Sequence, residues 1–251
     1  MTIQRMITEM WITPDWPAPE NVKAISTTRS GGISLGHYAG LNLGDHVGDE
    51  PAAVAHNRQW LQQQLGLVHA PAWLSQTHST RVLDLHEPLT QIPNADASVT
   101  RETGIACTVM TADCLPVLLC DRQGTQVGAV HAGWRGLADG ILEETVRTFS
   151  AEADQILAWL GPAIGPAAFE VGGEVRAQFL ADDPAAEAAF QPKGEKWLAD
   201  LYQLARLRLQ RQGVTQIFGG TECTYADPAR FYSYRRDGVT GRQASLIWLS
   251  H

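Results

Sequence analysis

Three side chains that could bind a metal ion stand at the ends of apolar runs. His78 precedes one such run, Cys114 lies between two, and His131 ends another. Two imidazoles and one thiolate suit Zn²⁺, and three protein ligands leave one tetrahedral position for water or a substrate. A zinc ion bound in this way lowers the pKa of its water toward ~7, which makes hydrolytic chemistry available at neutral pH.

Spacing alone does not specify this site, because the three residues are far apart and form no HExxH or CxxC motif. A cysteine between strands is commonly a small buried hydrophobe, which we expect for Cys107 and Cys120. Cys114 and His131 could also form a metal-free thiolate–imidazole pair that attacks an amide or ester. Asp113 or the other histidine would then orient the imidazole. Residue types leave these alternatives open.

Apolar runs predict eight strands and therefore a substantial amount of sheet. A hairpin that pairs Leu118 with Val127 would bring Cys114 close to the end of the neighbouring strand. Pro116 restricts the residue before it to extended geometry, which supports a strand there. The predicted strands are 22–27, 82–85, 105–110, 116–120, 126–130, 156–160, 214–218 and 244–249.

Three helices are predicted among these strands. The first begins at Pro51 and ends before Gly66, the second covers 136–149, and Asp200 caps the third, over 201–212. Three of the strands follow one another with short connections and no helix between them, so a strict βαβ winding does not fit. We expect an α+β fold, an α/β layered sandwich of mixed β-sheets covered by helices.

Composition narrows the class of protein. With 44% hydrophobic and 18% charged residues the chain is globular, and its length lets one domain cover 1–251. Segment 181–196 is expected to be a surface excursion with a short helix. The net charge of −8, with no basic cluster longer than a pair, argues against nucleic acid as a partner.

The chain shows no secretion or membrane signal. Its first residues lack the apolar core and cleavage site of a signal peptide, and no uncharged apolar stretch reaches ~18 residues. We therefore expect no membrane association and a cytoplasmic location. The four cysteines are then expected to remain thiols in a reducing compartment.

Seven segments together resemble the YfiH/LACC1 family over nearly the whole chain. Members of this family have been called laccase-like or polyphenol oxidases and are described as purine nucleoside phosphorylases with adenosine deaminase activity. The resemblance implies that His78, Cys114 and His131 are zinc ligands in a layered sandwich of mixed sheets. The segments are TTRSGGIS (27–34), LNLGDHVGD (41–49), QTH (76–78), TADCLP (111–116), VHAGWRG (130–136), GPAIGP with FEVG (161–172) and FYSYRRDGVTGRQ (231–243).

The resemblance also implies substrates: adenosine, inosine and methylthioadenosine, cleaved by phosphate to the free base and ribose 1-phosphate. A phosphate must be held near C1′, and Arg29 and Arg135 are candidates to hold it. Asn42 and His46 are candidates to bind base or ribose, although a turn explains them equally well. Asp113 could orient an imidazole or protonate the purine at N7 or N1, and its competing role is to cap a turn.

Two departures from the family pattern lie near these residues. The usual first-ligand motif is QVHG, and here Thr77 and Ser79 replace the valine and the glycine. If that glycine permits a positive φ, Ser79 would alter it. Ala167 and Ala168 stand where cysteine is common. Cys223 is a candidate fourth ligand, which would make the site closed and structural.

Three other functions stay open. A Cys–His hydrolase could act on an amide bond of a peptidoglycan precursor. Cu²⁺ could replace Zn²⁺ and support weak polyphenol oxidation, because copper binds more tightly at most nitrogen and sulfur sites. Multicopper oxidation is disfavoured, since the eight histidines form no His-X-His pair. A non-catalytic binding protein would hold purine without turnover.

Overall fold

Two stacked β-sheets with helices on their outer faces form most of the part described by the computed structural model, residues 10–250. The strands are β1 (Trp11–Ile12), β2 (Val22–Thr27), β3 (Val82–Leu85), β4 (Ala97–Thr100), β5 (Cys107–Thr111), β6 (Leu115–Asp121), β7 (Val127–Ala132), β8 (Ile156–Leu160), β9 (Glu170–Val171), β10 (Phe190–Lys193), β11 (Lys196–Ala199), β12 (Gln216–Gly219) and β13 (Gln243–Leu249). One sheet is mixed, with the order β12-β8-β6-β7-β4-β3. The second sheet, β1-β2-β13-β5, is antiparallel, and β10-β11-β9 form a small third sheet.

Six α-helices cover these sheets in the described part of the chain. They are α1 (Pro51–Gln64), α2 (Trp134–Asp139), α3 (Ile141–Arg147), α4 (Gly173–Asp182), α5 (Leu201–Arg211) and α6 (Tyr234–Asp237). Short 3₁₀ helices cover Gly36–Tyr38, Ala153–Gln155 and Pro184–Ala189. None of the helices within residues 10–250 is both long enough and apolar enough to cross a bilayer.

Successive side chains of a strand point to opposite faces of its sheet, and this separates the apolar core into layers. In β6, Val117 and Leu119 belong to the apolar cluster that includes α3 and α5, whereas Leu118 and Cys120 belong to the cluster between the two large sheets. On the far face of the second sheet, residues of β5 and β13 pack with Leu61 of α1. The layers therefore follow the order helix, sheet, sheet, helix, which confirms the predicted fold class.

All eight predicted strands are present; three have the predicted bounds, and the ends of the other five differ by at most two residues. The predicted hairpin is the antiparallel pair β6–β7, but Leu118 lies opposite Ala129, and Val127 lies opposite Cys120. A shift of two residues keeps every side chain on its predicted face, because the side-chain period of a strand is 2. Cys107 and Cys120 are fully buried, as predicted, and all four cysteines are free thiols.

Two local predictions were wrong. The helix predicted over 136–149 is divided into α2 and α3 at Gly140, whose φ of 101° ends a helix and is favourable only for glycine. Segment 181–196 is more than a surface excursion, because it supplies β10 and places Ala186 and Phe190 in the core.

A buried ion pair joins α3 to α5. Arg208 donates to Glu143 Oε1 at 2.9 Å, and both side chains are almost fully buried. Arg208→Met is expected to destabilise the fold by about 3 kcal/mol, because Glu143 would lose its closest cation in the interior. Calorimetry should show Tm lowered by roughly 10 °C. Arg147→Ala, which breaks an exposed pair with Glu144, is the control and should cost less than ~1 kcal/mol. Equal shifts in the two variants would contradict this account.

Candidate functional site

His78, Cys114 and His131 meet at one end of the mixed sheet. His131 lies in β7 opposite Pro116 of β6, Cys114 directly precedes β6, and His78 lies in the loop before β3. One ligand atom from each residue lies within 4.8 Å of the others, and Cys114 Sγ is 3.6 Å from His78 Nε2. The β6–β7 hairpin brings Cys114 close to His131, as the sequence predicted, and the pairing of β3 with β4 and of β4 with β7 adds His78.

Asp96, just before β4, connects the two histidines. Its Oδ1 accepts hydrogen bonds from His131 Nδ1 at 2.8 Å and from the His78 amide at 2.9 Å. Its Oδ2 accepts from the amides of Thr77 at 3.2 Å and Ser79 at 2.7 Å, and from the Ser79 hydroxyl at 2.6 Å. Asp96 is fully buried, so this carboxylate is satisfied by protein groups around the site.

Backbone strain concentrates here. Among residues 10–250 the non-glycine residues with positive φ are His78, at 61°, and Asp113, at 95°. Such conformations cost of order 1 kcal/mol or more and persist where surrounding contacts enforce them. Asp113 stands where the chain leaves one large sheet and enters the other, and its carboxylate accepts from Thr224 Oγ1 at 2.6 Å and Arg235 N at 2.7 Å. The positive φ considered for residue 79 is found at His78 instead.

The buried groups shift one another's pKa. Burial alone would raise the pKa of the Cys114 thiol, but His131 and His78 outweigh burial and lower it to about 6. Burial alone would lower the pKa of His131, but the Cys114 sulfur and Asp96 raise it to about 9. Burial likewise opposes ionisation of Asp96, whose pKa is nevertheless lowered by hydrogen bonds from His131 and Ser79. Each group of this cluster therefore favours the charged form of its neighbour, which opposes the effect of burial.

The types of the three donors suit one zinc ion, and their ligand atoms all lie within 4.8 Å of one another. With bonds of about 2.0–2.3 Å in a tetrahedron, ligand atoms lie roughly 3.5 Å apart, and the Cys114–His78 separation of 3.6 Å agrees. His131 directs Nδ1 to Asp96, which leaves Nε2 as its free ligand atom. Gly133 packs so closely that a Cβ there would lie 2.5 Å from His78 Cδ2. These observations suit a compact site for a single metal ion.

A cavity of about 520 Å³ opens over these donors. Its wall combines cations with aromatic rings, namely Arg135, Arg235, Arg242, Trp134, Phe169 and Tyr234. The guanidinium of Arg135 lies 4.5 Å from the Trp134 ring centre and makes no hydrogen bond or ion pair with any residue in 10–250. An anion with an attached flat, partly apolar group would complement this wall.

The predicted site residues divide between the cavity and its surroundings. Asp113, His46 and Arg135 line the cavity. Arg29 is outside the lining and donates to backbone carbonyls at 3.2 and 3.3 Å. Asn42 is fully buried, also outside the lining, and accepts from Arg242 N at 2.8 Å. The substrate-binding roles of these residues stay predictions.

The candidate fourth ligand lies elsewhere. Cys223 Sγ accepts from the amide of Gly165 at 3.2 Å. It is not part of the cluster of possible metal ligands found within residues 10–250. Because His78, Cys114 and His131 all line the cavity, a metal ion held by them would be accessible from it, as expected for an open site.

Sequence reasoning missed several residues of the site. Asp96 follows IPNA, which indicates a turn, and the short strand after it was not recognised. Gln76 lies within the QTH motif, and its amide group forms hydrogen bonds of 2.7 Å with both backbone groups of Met110. Phe169, Tyr234 and Arg242 lie within quoted motifs that had no assigned role for them. Their position within these motifs was the signal that could have identified them as site residues.

The fold and the site together define a layered α+β protein whose cavity contains a donor set for one metal ion. The model of the family described as multi-copper polyphenol oxidoreductase laccase matches residues 23–250, and the chain belongs to this family.

Several named proteins are similar to this chain in sequence over nearly their whole length. The chain is 57% identical over 238 residues to purine nucleoside phosphorylase YfiH of Escherichia coli (strain K12), which covers 95% of this chain and 98% of the relative. It is 54% identical over 241 residues to a purine nucleoside phosphorylase of Pseudomonas aeruginosa, covering 95% and 98%. The crystal structure of a Neisseria meningitidis protein assigned to DUF152 matches with a TM-score of 0.93 and 55% identity, covering 96% and 100%. The predicted family and the prediction of an enzyme are confirmed.

Proposed function

We propose that residues 1–251 form one catalytic domain that is a zinc-dependent purine nucleoside phosphorylase with adenosine deaminase activity. The observation that carries this proposal is the His–Cys–His site at the base of a cavity of about 520 Å³ with arginines and aromatic rings in its wall. That volume is ordinary for a small-molecule site. The proposed substrates are adenosine, inosine and methylthioadenosine with phosphate, in keeping with the names of the full-length relatives.

The residues of the cavity would perform distinct tasks. Trp134, Phe169 and Tyr234 would pack against the purine, and Arg135 would hold the phosphate through its guanidinium. In phosphorolysis a phosphate oxygen forms a bond to C1′ while the C1′–N9 bond breaks, and its electron pair passes to the purine. The leaving purine needs a proton at N7 or N1. That proton comes from the P–OH group of the attacking phosphate, and Asp113, whose oxygens accept from Thr224 and the Arg235 amide, is proposed to take it up and pass it to the purine.

His78, Cys114 and His131 would hold the zinc. When bound, zinc supplies Lewis-acid stabilisation of negative charge on an oxygen of a reactant. Asp96 holds the His131 ring and the His78 backbone amide, and Gly133 leaves the space beside the His78 ring and Cys114 Sγ free of side-chain atoms. In deamination, water attacks C6 and ammonia leaves, and the same cavity would exclude bulk water from the base.

One observation favours a second candidate function. The lowered pKa of Cys114 beside His131 also describes an activated thiol pair, which could attack an amide bond such as that of a peptidoglycan precursor. Oxidation of phenols by copper has less support. Residues 10–250 contain one cluster able to bind a metal, which would hold one copper ion rather than the several that a multicopper centre needs.

The direct test uses freshly purified protein, metal analysis, and incubation of inosine with phosphate followed by chromatography. Hypoxanthine and ribose 1-phosphate should form, adenosine should also give inosine, and about one zinc per chain should be present. Dipicolinate should abolish turnover and added zinc should restore it. If iodoacetamide abolishes turnover while dipicolinate has no effect, the thiol-pair function replaces the zinc function. Bound purine without product would indicate a binding protein.

Arg135→Ala should raise the KM for phosphate about tenfold, because one charge-assisted hydrogen-bonding group is lost. The KM for inosine should change much less. Steady-state kinetics with each substrate varied in turn measures both values. Arg147→Ala removes an exposed arginine of α3 that does not line the cavity and should leave both values unchanged. An unaltered KM for phosphate in Arg135→Ala would remove this residue from the proposed phosphate site.

A further inference from the structure

We propose that Asp96 is a positioning residue that sets both histidines of the site in their metal-binding orientation, and that Ser79 strengthens this effect. The inference rests on the proposed zinc site. Asp96 touches neither the cavity nor the ligand atoms themselves, and it acts through the residues that it holds. Its contribution should therefore be measurable in metal affinity without any substrate.

The first contact of Asp96 fixes the orientation of the His131 ring. An imidazole that donates from Nδ1 to a carboxylate presents the lone pair of Nε2 on its opposite side. Asp96 Oδ1 accepts this hydrogen bond at 2.8 Å, and the backbone carbonyl of Asp96 accepts from the His131 amide at 2.7 Å. The residue is thus held at its ring and at its backbone. Rotation of the ring away from Cys114 would leave a buried carboxylate oxygen without its partner, which is costly.

The second set of contacts holds the unusual backbone of His78. The amides of Thr77, His78 and Ser79 all point at the Asp96 carboxylate. Successive amides that converge on an anion form a nest, and such a turn includes a residue in the left-handed region. His78 is that residue, with φ of 61°. Without the carboxylate the converging amides would lose their acceptor, and the strained conformation that aims this imidazole at the site would lose its support.

Ser79 adds a contact that glycine cannot make. Its hydroxyl donates to Asp96 Oδ2 at 2.6 Å, in addition to its amide at 2.7 Å. The residue that departs from the expected glycine therefore supports the carboxylate instead of disturbing the turn. Because one carboxylate contacts two histidines from distant parts of the chain, the position of His78 relative to His131 is set by Asp96.

Asp121 offers a matched control. It is also a buried aspartate, and it holds the β6–β7 turn by accepting hydrogen bonds from the Thr125 amide at 2.7 Å and from the Thr125 hydroxyl. It lies at the end of β6 opposite to Cys114. Asp121→Asn therefore disturbs a similar carboxylate-supported turn without contact to the metal site.

The experiment compares zinc affinity among the full-length wild type, Asp96→Asn, Ser79→Ala and Asp121→Asn by competition with a chromogenic chelator. Absorption spectra of the Co²⁺-loaded proteins report ligand geometry. Asp96→Asn should bind zinc about 10–100-fold more weakly, the range for partners that orient metal ligands. Ser79→Ala should lose about 3–10-fold, as expected for one hydrogen bond to a charged group. The zinc affinity of Asp121→Asn should stay within about twofold of the wild type, because a substitution far from the site has no energetic coupling to it.

The outcomes separate this inference from the zinc proposal itself. If the wild type binds no zinc, both fail. If the wild type binds zinc and Asp96→Asn matches its affinity and cobalt spectrum, Asp96 is structural only and the inference alone is overturned. Equal weakening in Asp96→Asn and Asp121→Asn also overturns it, because the effect would then be a general loss of stability. Should Asp96→Asn fail to fold, Ser79→Ala decides, and unchanged affinity in that variant overturns the inference.

Discussion

Cys114→Ser is expected to remove both bound zinc and phosphorolysis. Serine keeps the size of the side chain, but its hydroxyl is neutral at pH 7 and binds zinc poorly, whereas the pKa of Cys114 near 6 makes the thiolate available. Zinc affinity should fall by more than about 100-fold, the upper range for residues that only orient a ligand. Metal analysis after dialysis and the inosine assay measure the two effects. His78 and His131 alone are too few donors to retain the ion.

Cys223→Ser is the matched control for this substitution. Cys223 is also partly exposed, but its sulfur contacts the Gly165 amide and lies outside the ligand cluster. This variant should keep zinc and activity at wild-type levels. Retention of zinc by Cys114→Ser with loss of turnover would contradict the metal role and would favour the thiol as a nucleophile.

Gly133→Ala is the second substitution with a large expected effect. A Cβ at Gly133 would lie 2.5 Å from His78 Cδ2, 2.9 Å from His78 Nε2 and 3.1 Å from Cys114 Sγ. All three distances are shorter than van der Waals contact, and the two to His78 are short enough that its ring would have to move. Its backbone is held by Asp96, which leaves little freedom for that movement. We expect zinc affinity to fall by roughly 100-fold, since ligand atoms must sit within ±0.2 Å of ideal distances.

The backbone of Gly133 itself does not require glycine, since its φ of −62° and ψ of 154° suit alanine. The chain should therefore fold, and the far-ultraviolet circular dichroism spectrum should match the wild type. Gly173→Ala is the control, because a Cβ at this first residue of α4 meets no atom within 4 Å. It should leave zinc affinity unaltered. A Gly133→Ala protein with normal affinity and a normal cobalt spectrum would show that the site is less tightly packed than these distances indicate.

The local pattern of apolar residues was sufficient to predict most of the strands. Apolar runs located eight of the thirteen strands found within residues 10–250, and the hairpin between β6 and β7 followed from two such runs with a short connection. The strands that were missed are short or lie beside turn residues, as with β4 after the IPNA segment. Gly140 was missed as a helix end because a single glycine inside an amphipathic pattern is often tolerated.

Residue chemistry indicated a candidate donor set, and the quoted motifs identified the family. The types of His78, Cys114 and His131 suggest zinc wherever they meet, because ligand preference belongs to the side chain. Motif similarity then favoured this donor set over the metal-free alternatives, and the family match over residues 23–250 confirms the family. None of this required knowledge of which strands are neighbours.

The folded chain decided which residues share the site. Asp96 and Arg242 reach it only because β4 pairs with β7 and because β13 pairs with β5. Arg29 and Asn42, equally plausible by type, lie outside the cavity lining. Sheet order and the stacking of two sheets arise from cooperative packing between distant segments, and a one-dimensional pattern of side chains specifies the face of each strand but not its neighbour.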